Sequence, residues 1–314
     1  MEMITRATDV RLFFGRRVRF WGAIVSAAVM LFLAAGCGDK ARDAAASAAS
    51  AEERYPFVGE VISVDPEARI LVVHHEEIPD YMPEMVMEFS VSAADAANAR
   101  AGQHIRAELL PREDGPYRLV NIWPADPLGE SLVSAGADAL RQDTMIRGRS
   151  AYREVGESIP GFTLYDQSGA VVQSARFRGK QVMINFIYTR CPVPNMCPAA
   201  TMKMMEVQAL AAEAGISDLE LISITLDPEY DTPGVLRAYS EARGIDNTNF
   251  SFLTGPERAI RDLLAQFGVL VKLEGPLINH TLATLLIDKD GRIIHRADGT
   301  QWEPRDFVAK MHRP

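Results

Sequence analysis

The chain has 314 residues, 47% of them hydrophobic and 24% charged, an ordinary globular composition long enough for two separate cores. Its formal net charge of -9 excludes a nucleic-acid role, because neutralising phosphates needs clustered Lys and Arg that the chain nowhere gathers after its first residues.

That one basic stretch comes first: Arg6, Arg11, Arg16, Arg17 and Arg19 precede the apolar run Trp21 to Ala35, which ends in Ala34-Ala35-Gly36-Cys37. The pattern predicts a signal peptide over 1–37 with lipidation at Cys37, and it resembles a bacterial lipobox except that Ala34 stands where leucine is usual. The run is short for a bilayer some ~30 Å thick, which favours cleavage and acylation over a permanent span; an uncleaved signal-anchor is the alternative. Either way the remainder is expected in the cell envelope, tethered to a membrane and facing the periplasm or exterior. Acylation of Cys37 leaves Cys191 and Cys197 as the only thiols, free to pair or to hold a metal in an oxidising compartment.

Residues 38–54, rich in Ala and Ser, lack the apolar variety to build a core and read as a tether. Over 55–125 the pattern becomes short alternating stretches, Phe57–Val64, Arg69–His75, Val86–Ser92, His104–Leu110 and Tyr117–Trp123, separated by turn residues. They predict a small all-β barrel of the OB type. Residues 126–155 show weak periodicity and read as a linker. From 156 to 314 strands and helices alternate, the signature of an α/β domain: strands at Val182–Tyr188, Leu219–Leu226 and a hairpin from Thr284–Asp288 to Ile293–His295, helices at Pro198–Ala214, Pro233–Gly244 and Pro256–Phe267.

Two groups of soft donors stand out. The stretch from His75 to Met87 holds Met82, Met85 and Met87 beside an imidazole, and period-two geometry puts Met85 and Met87 on one face of a strand. Uncharged thioether sulfur suits Cu(I) or Ag(I) far better than zinc, calcium or magnesium, whereas the bland alternative is methionine filling a core. The stretch resembles the periplasmic CusF family of copper and silver binders, on His75, Ile78, Met82, Pro83, Met85, Met87 and Phe89. That resemblance implies that His75, Met85 and Met87 ligate the metal, with Met82, standing where the family has a capping tryptophan, either a further ligand or a shield. A one-residue shift of the strand would substitute His74 for His75.

The second group begins after the buried strand, where Thr189-Arg190-Cys191 is followed by Cys197-Pro198 and a helix. Proline suits the first turn of a helix, which sets Cys197 near the N-cap, where the dipole is expected to favour thiolate. Far along the chain, Asn279-His280-Thr281 precedes a strand and can return to the carboxyl ends of the sheet beside the cysteines. Two thiolates and one imidazole make a three-coordinate site for Cu(I), or with another donor a site for Cu(II). Unaided, the same pair could be a structural disulfide.

Residues 156–312 resemble the SCO/SenC family of copper-binding thioredoxin-like proteins, on Ile159–Asp166, Arg178–Lys180, Phe186–Pro192, Cys197-Pro198, Ser223–Pro233, Asn279–Thr281 and Leu286–Asp288. The resemblance implies copper binding by Cys191, Cys197 and His280, with Asp227 an acidic neighbour of the site. Five residues, 192–196, separate the cysteines here, where the family usually has three. The function implied is that of a copper chaperone for the copper-bearing subunit of a cytochrome c oxidase, with other periplasmic copper or thiol proteins as further partners. Two soft-metal domains joined by a linker suggest a relay, since tethering raises effective concentration. A thiol-disulfide oxidoreductase cycling Cys191 and Cys197, or a copper buffer or resistance protein, are the rival readings. Whether the chain is an enzyme is left open.

Overall fold

A computed structural model describes residues 53–112, 114–148, 151–274 and 277–311, all within the compact unit Glu53–Pro314. The leader, Cys37 and the tether up to residue 52 lie outside the described residues. Among the described residues, no helix is long and apolar enough to cross a membrane.

The first part of this unit is a β-sheet domain of five strands, β1 Tyr55–Asp65, β2 Ile70–His75, β3 Met85–Ser90, β4 His104–Leu110 and β5 Arg118–Pro124. Their order is β1-β2-β3-β5-β4, and β4 pairs back onto β1 from Tyr55↔Leu109 to Glu60↔His104. The seam between β3 and β5 is slight, a single parallel pair Ser90↔Arg118. Alternation decides the fold: Phe57, Val61, Leu71, Val73, Phe89, Ile105, Leu109 and Leu119 all turn inward and are buried. Between β3 and β4, helix α1 (Ala93–Asn98) is capped by Ser92, whose hydroxyl accepts the Asp95 N–H at 3.1 Å, and its Ala94 and Ala96 are buried.

The stretch expected to be a linker is instead a 21-residue helix, α2 (Pro127–Arg147). Asp126 caps it, accepting the Gly129 N–H at 2.7 Å, and Pro127 opens its first turn. Only Gly129, Val133, Ala137, Leu140 and Thr144 are buried, so the apolar stripe is thin and the periodicity weak. Polar contacts do the rest, Arg141 to Asp262 at 2.9 Å and Gln266 to the Thr144 hydroxyl at 2.9 Å. Gly136 passes so close to Thr163 that a Cβ there would come within 2.5 Å of it.

The α/β domain carries a seven-stranded sheet of β6 (Thr163–Asp166), β7 (Val171–Gln173), β8 (Gln181–Ile187), β9 (Leu219–Thr225), β10 (Phe250–Thr254), β13 (Ala283–Ile287) and β14 (Ile293–Asp298), ordered β14-β13-β8-β9-β10-β6-β7. Strands β8, β9 and β10 run parallel, and every residue in them is buried, as expected of strands covered on both faces. Helices α3 (Cys197–Glu213), α4 (Pro233–Glu241), α5 (Glu257–Gln266) and α6 (Pro304–Lys310) complete it. A separate hairpin, β11 (Val271–Glu274) with β12 (Leu277–His280), arches from α5 back to β13.

Candidate metal centre

In the β-domain, β2 and β3 pair in register with His75 opposite Met85 and Val73 opposite Met87. His75 shares the inward face of Leu71 and Val73, and Met85 and Met87 share that of Phe89. His75 is buried between the rings of Phe57 and Phe89, with centroids 5.5 and 5.8 Å away. Its Nδ1 lies 2.7 Å from the carbonyl oxygen of Glu76 and can only donate to it, which leaves the lone pair of the neutral ring on Nε2. That Nε2 is buried without a hydrogen-bond partner. A buried acceptor left unpaired costs about 1–3 kcal/mol, a cost that a soft metal ion would remove. His74 points to the opposite, solvent side and pairs with Glu84 at 2.9 Å, so the shifted register does not occur. Met82 closes the turn with Ile78 and packs partly buried on the core, while Met85 is exposed. Tyr55 and Tyr81 stack at 3.9 Å beside this turn, a pairing that sequence analysis missed.

In the α/β domain, β8 delivers Tyr188 to Cys191 at its carboxyl end, and α3 starts on Cys197 with Met196 as its cap residue. No disulfide joins the two cysteines. His280, at the end of β12, places Nε2 3.7 Å from the Cys197 sulfur. Ligand bonds of about 2.3 Å to sulfur and about 2.0 Å to nitrogen, at a trigonal angle, set two donors roughly that far apart. As in His75, Nδ1 faces the next residue's carbonyl, Thr281 at 3.1 Å, so the Nε2 lone pair is turned toward the sulfur. Burial pushes the His280 imidazole below its ordinary value, which also favours the neutral ligand form. Among the described residues, no three of His, Cys, Asp or Glu already close around a metal position. The Cys191 thiol is half-buried and turned to the Val193 carbonyl at 3.9 Å.

The two thiols differ in the opposite sense to that expected from the helix dipole. Burial pushes Cys197 well above the ordinary thiol range despite its place in the first turn of α3. Burial also pushes Cys191 up, but backbone hydrogen bonds at Val193 and Cys197, with the Tyr188 and Cys197 side chains, outweigh it and lower the group overall. Cys191 is thus the thiolate-prone member.

Asp227 does not touch the cysteines. It is buried, accepts from Arg190 Nε at 2.6 Å, and so holds the residue next to Cys191, while the Arg190 guanidinium also lies 4.6 Å over the Tyr230 ring. Sequence analysis missed two neighbours. Tyr188 accepts the Cys191 N–H at its carbonyl at 3.3 Å and sets its ring edge-on to His280, centroids 6.0 Å apart, and burial pushes its hydroxyl up to about 12. Asp231 accepts from the Thr189 N–H at 3.2 Å, the Thr189 hydroxyl, and the Thr225 hydroxyl at 2.6 Å, tying the cysteine loop to β9. An acidic residue beside the Thr232 cap of α4 reads in sequence as ordinary helix-start chemistry, which hid its role.

Comparison with known proteins follows the same division. The SCO1/SenC family model matches residues 150–313, over half the chain, and the model described as the copper binding periplasmic protein CusF matches residues 54–124. An SCO2-like protein of Rickettsia typhi is 34% identical over 148 residues, covering 45% of this chain and 68% of the relative. The SCO1 protein homolog of Bacillus subtilis is 30% identical over 151 residues, covering 47% and 77%. Among solved structures, the copper-bound ScoI of Bradyrhizobium japonicum is 27% identical, covering 50% of this chain and 96% of that one, with a TM-score of 0.42.

Proposed function

The chain belongs to the SCO1/SenC family, and from that premise we propose that it is a copper carrier of the cell envelope, lipid-anchored through Cys37, that supplies the copper centre of a respiratory oxidase. The carrying observation is the pair Cys197 Sγ and His280 Nε2, 3.7 Å apart, with the more accessible Cys191 on the loop that leads into Cys197. These are soft and borderline donors suited to Cu(I), and copper is their cargo. One buried sulfur and one imidazole fixed by its Thr281 bond form a half-built site, which Cys191 opens or closes by a side-chain turn. In the β-domain, which we read as an OB-type barrel, His75 with Met85 and Met87 forms a second, thiolate-free site, and Met82 shields it.

The test is genetic. A deletion strain grown under copper limitation should assemble an oxidase lacking copper and recover on added copper or on the wild-type gene, but not on His280→Ala. Full metallation of the oxidase in the deletion strain would refute the client.

The asymmetry of the thiols favours a second reading, a thiol-disulfide oxidoreductase with Cys191 as the attacking group and Cys197 as the resolving one. His280→Ala separates the two, because copper carriage needs the imidazole and exchange chemistry chiefly the thiols.

A further inference from the structure

The β-domain rests on α4. Gly234, in the first turn of that helix, is buried, and a Cβ there would come within 2.0 Å of Oδ1 of Asp95 in α1 and within 2.8 Å of its Cγ. Glycine weakens a helix relative to alanine, and Gly234 does not lie in the left-handed region that would call for it. What the residue permits is the close approach of α1. The other Asp95 oxygen accepts the Ser92 hydroxyl at 2.6 Å, so the carboxylate is fixed by the cap of its own helix. Three residues along, Arg237 of α4 donates to Asn98 at 2.8 Å and to the Ala97 carbonyl at 3.2 Å, and Asn98 donates to the Gln167 carbonyl at 2.9 Å.

The start of α4 also grips the cysteine loop. Its cap residue is Thr232, and Asp231 just before it is buried and accepts both the Thr189 N–H, at 3.2 Å, and the Thr189 hydroxyl. The Asp227 carbonyl accepts the Asp231 N–H at 2.8 Å, and the Asp227 carboxylate holds Arg190 at 2.6 Å. Thr189 and Arg190 are the two residues before Cys191. Further along α4, the Tyr239 hydroxyl lies 2.9 Å from that of Thr201, both buried, one turn into the helix that Cys197 opens. One helix thus touches α1 of the β-domain and both cysteine-bearing segments. Only Thr232 and Pro233, each buried, separate Asp231 from Gly234.

We propose that Asp95 and Gly234 are positioning residues for the cysteine loop: α1, seated on Gly234, fixes the start of α4, and α4 fixes Thr189 and hence Cys191 in the metal-free chain. The β-domain is part of what presents the Cys191 thiol, besides the donors it carries itself. Such positioning serves the thiol equally as a copper ligand and as an attacking group.

The test uses the full chain in detergent, reduced and free of metal. Gly234→Ala sets its methyl on the Asp95 carboxylate and should lift α1 from α4. Asp95→Ala/Gly234→Ala removes the three atoms nearest that methyl and should restore the seat. Two readouts follow the loop: iodoacetamide modification of Cys191, by mass spectrometry of its peptide, and hydrogen exchange of the Thr189 N–H, by NMR. In Gly234→Ala both are expected to quicken about fivefold, and in the double variant to return to the wild-type rate. Unchanged rates in Gly234→Ala would overturn the proposal. So would fast rates that persist in the double variant, for the methyl would then act on α4 alone. If Gly234→Ala does not fold, Asn98→Ala takes its place, losing the bonds to Gln167 and Arg237 without a clash. A faster Cys191 in that variant supports the positioning, and an unchanged one overturns it.

Discussion

The two donor groups are built in opposite ways from similar parts. In the β-domain the imidazole and the thioethers lie on neighbouring strands, His75 directly opposite Met85, so strand alternation and one tight turn make the site. In the α/β domain, Cys191 and Cys197 come from the loop between β8 and α3, while His280 arrives on a hairpin 83 residues beyond Cys197. Yet both histidines are held alike, with Nδ1 given to the next residue's carbonyl and Nε2 on the other side of the ring. A local site survives wherever its sheet survives, whereas a composite site needs the whole domain.

The largest expected separation comes from the core under the local site. Phe89→Ala removes a fully buried ring packed on His75 and Phe57 and should cost about 3–5 kcal/mol of β-domain stability. Urea unfolding should then show the β-domain melting first while the cysteine site keeps its copper; a single shared transition would join the two regions.

Next is pH. The Asp231 carboxyl rises from 3.8 to about 6 in the folded chain, chiefly through burial. A raised folded value means that the folded state holds the proton more tightly, so this contribution is complete below pH 3.8 and is lost as pH climbs through about 6. The loss amounts to about 3 kcal/mol. Asp231→Asn should flatten the stability curve over that window relative to wild type, read by denaturation at pH 4 and 7, and an unchanged curve would contradict the burial account.

A smaller effect is expected at Arg190→Ala, which leaves Asp227 buried without its partner; the half-exposed guanidinium limits the cost to about 1 kcal/mol. The effect should appear as weaker copper retention at the cysteine site, with the β-domain site unmoved. Finally, iodoacetamide should modify Cys191 well before Cys197, since the first is half-exposed and thiolate-prone and the second fully buried; mass spectrometry of peptides reads the order.

How far the sequence could be read follows the same contrast. The five β-domain strands and the buried strands β8 and β9 are visible as alternation or as unbroken apolar runs. Helix α2 was not, because only a thin stripe of it is apolar and side-chain pairs such as Arg141–Asp262 replace the rest. The hairpin carrying His280 was invisible as an element, since it pairs only with itself, apart from the main sheet. Motif spacing brought Cys191, Cys197 and His280 into view, but their inverted acidities depend on burial and on Tyr188, which no local pattern reports.

The most direct test of two separate copper sites is anaerobic titration of the reduced full chain with Cu(I) against a competing chelator, repeated on Cys191→Ser/Cys197→Ser and on Met85→Leu/Met87→Leu. Two tight equivalents in the wild type, with a different one lost in each variant, are predicted. Copper binding that ignores the cysteine substitutions would contradict the account and leave the β-domain as the sole carrier.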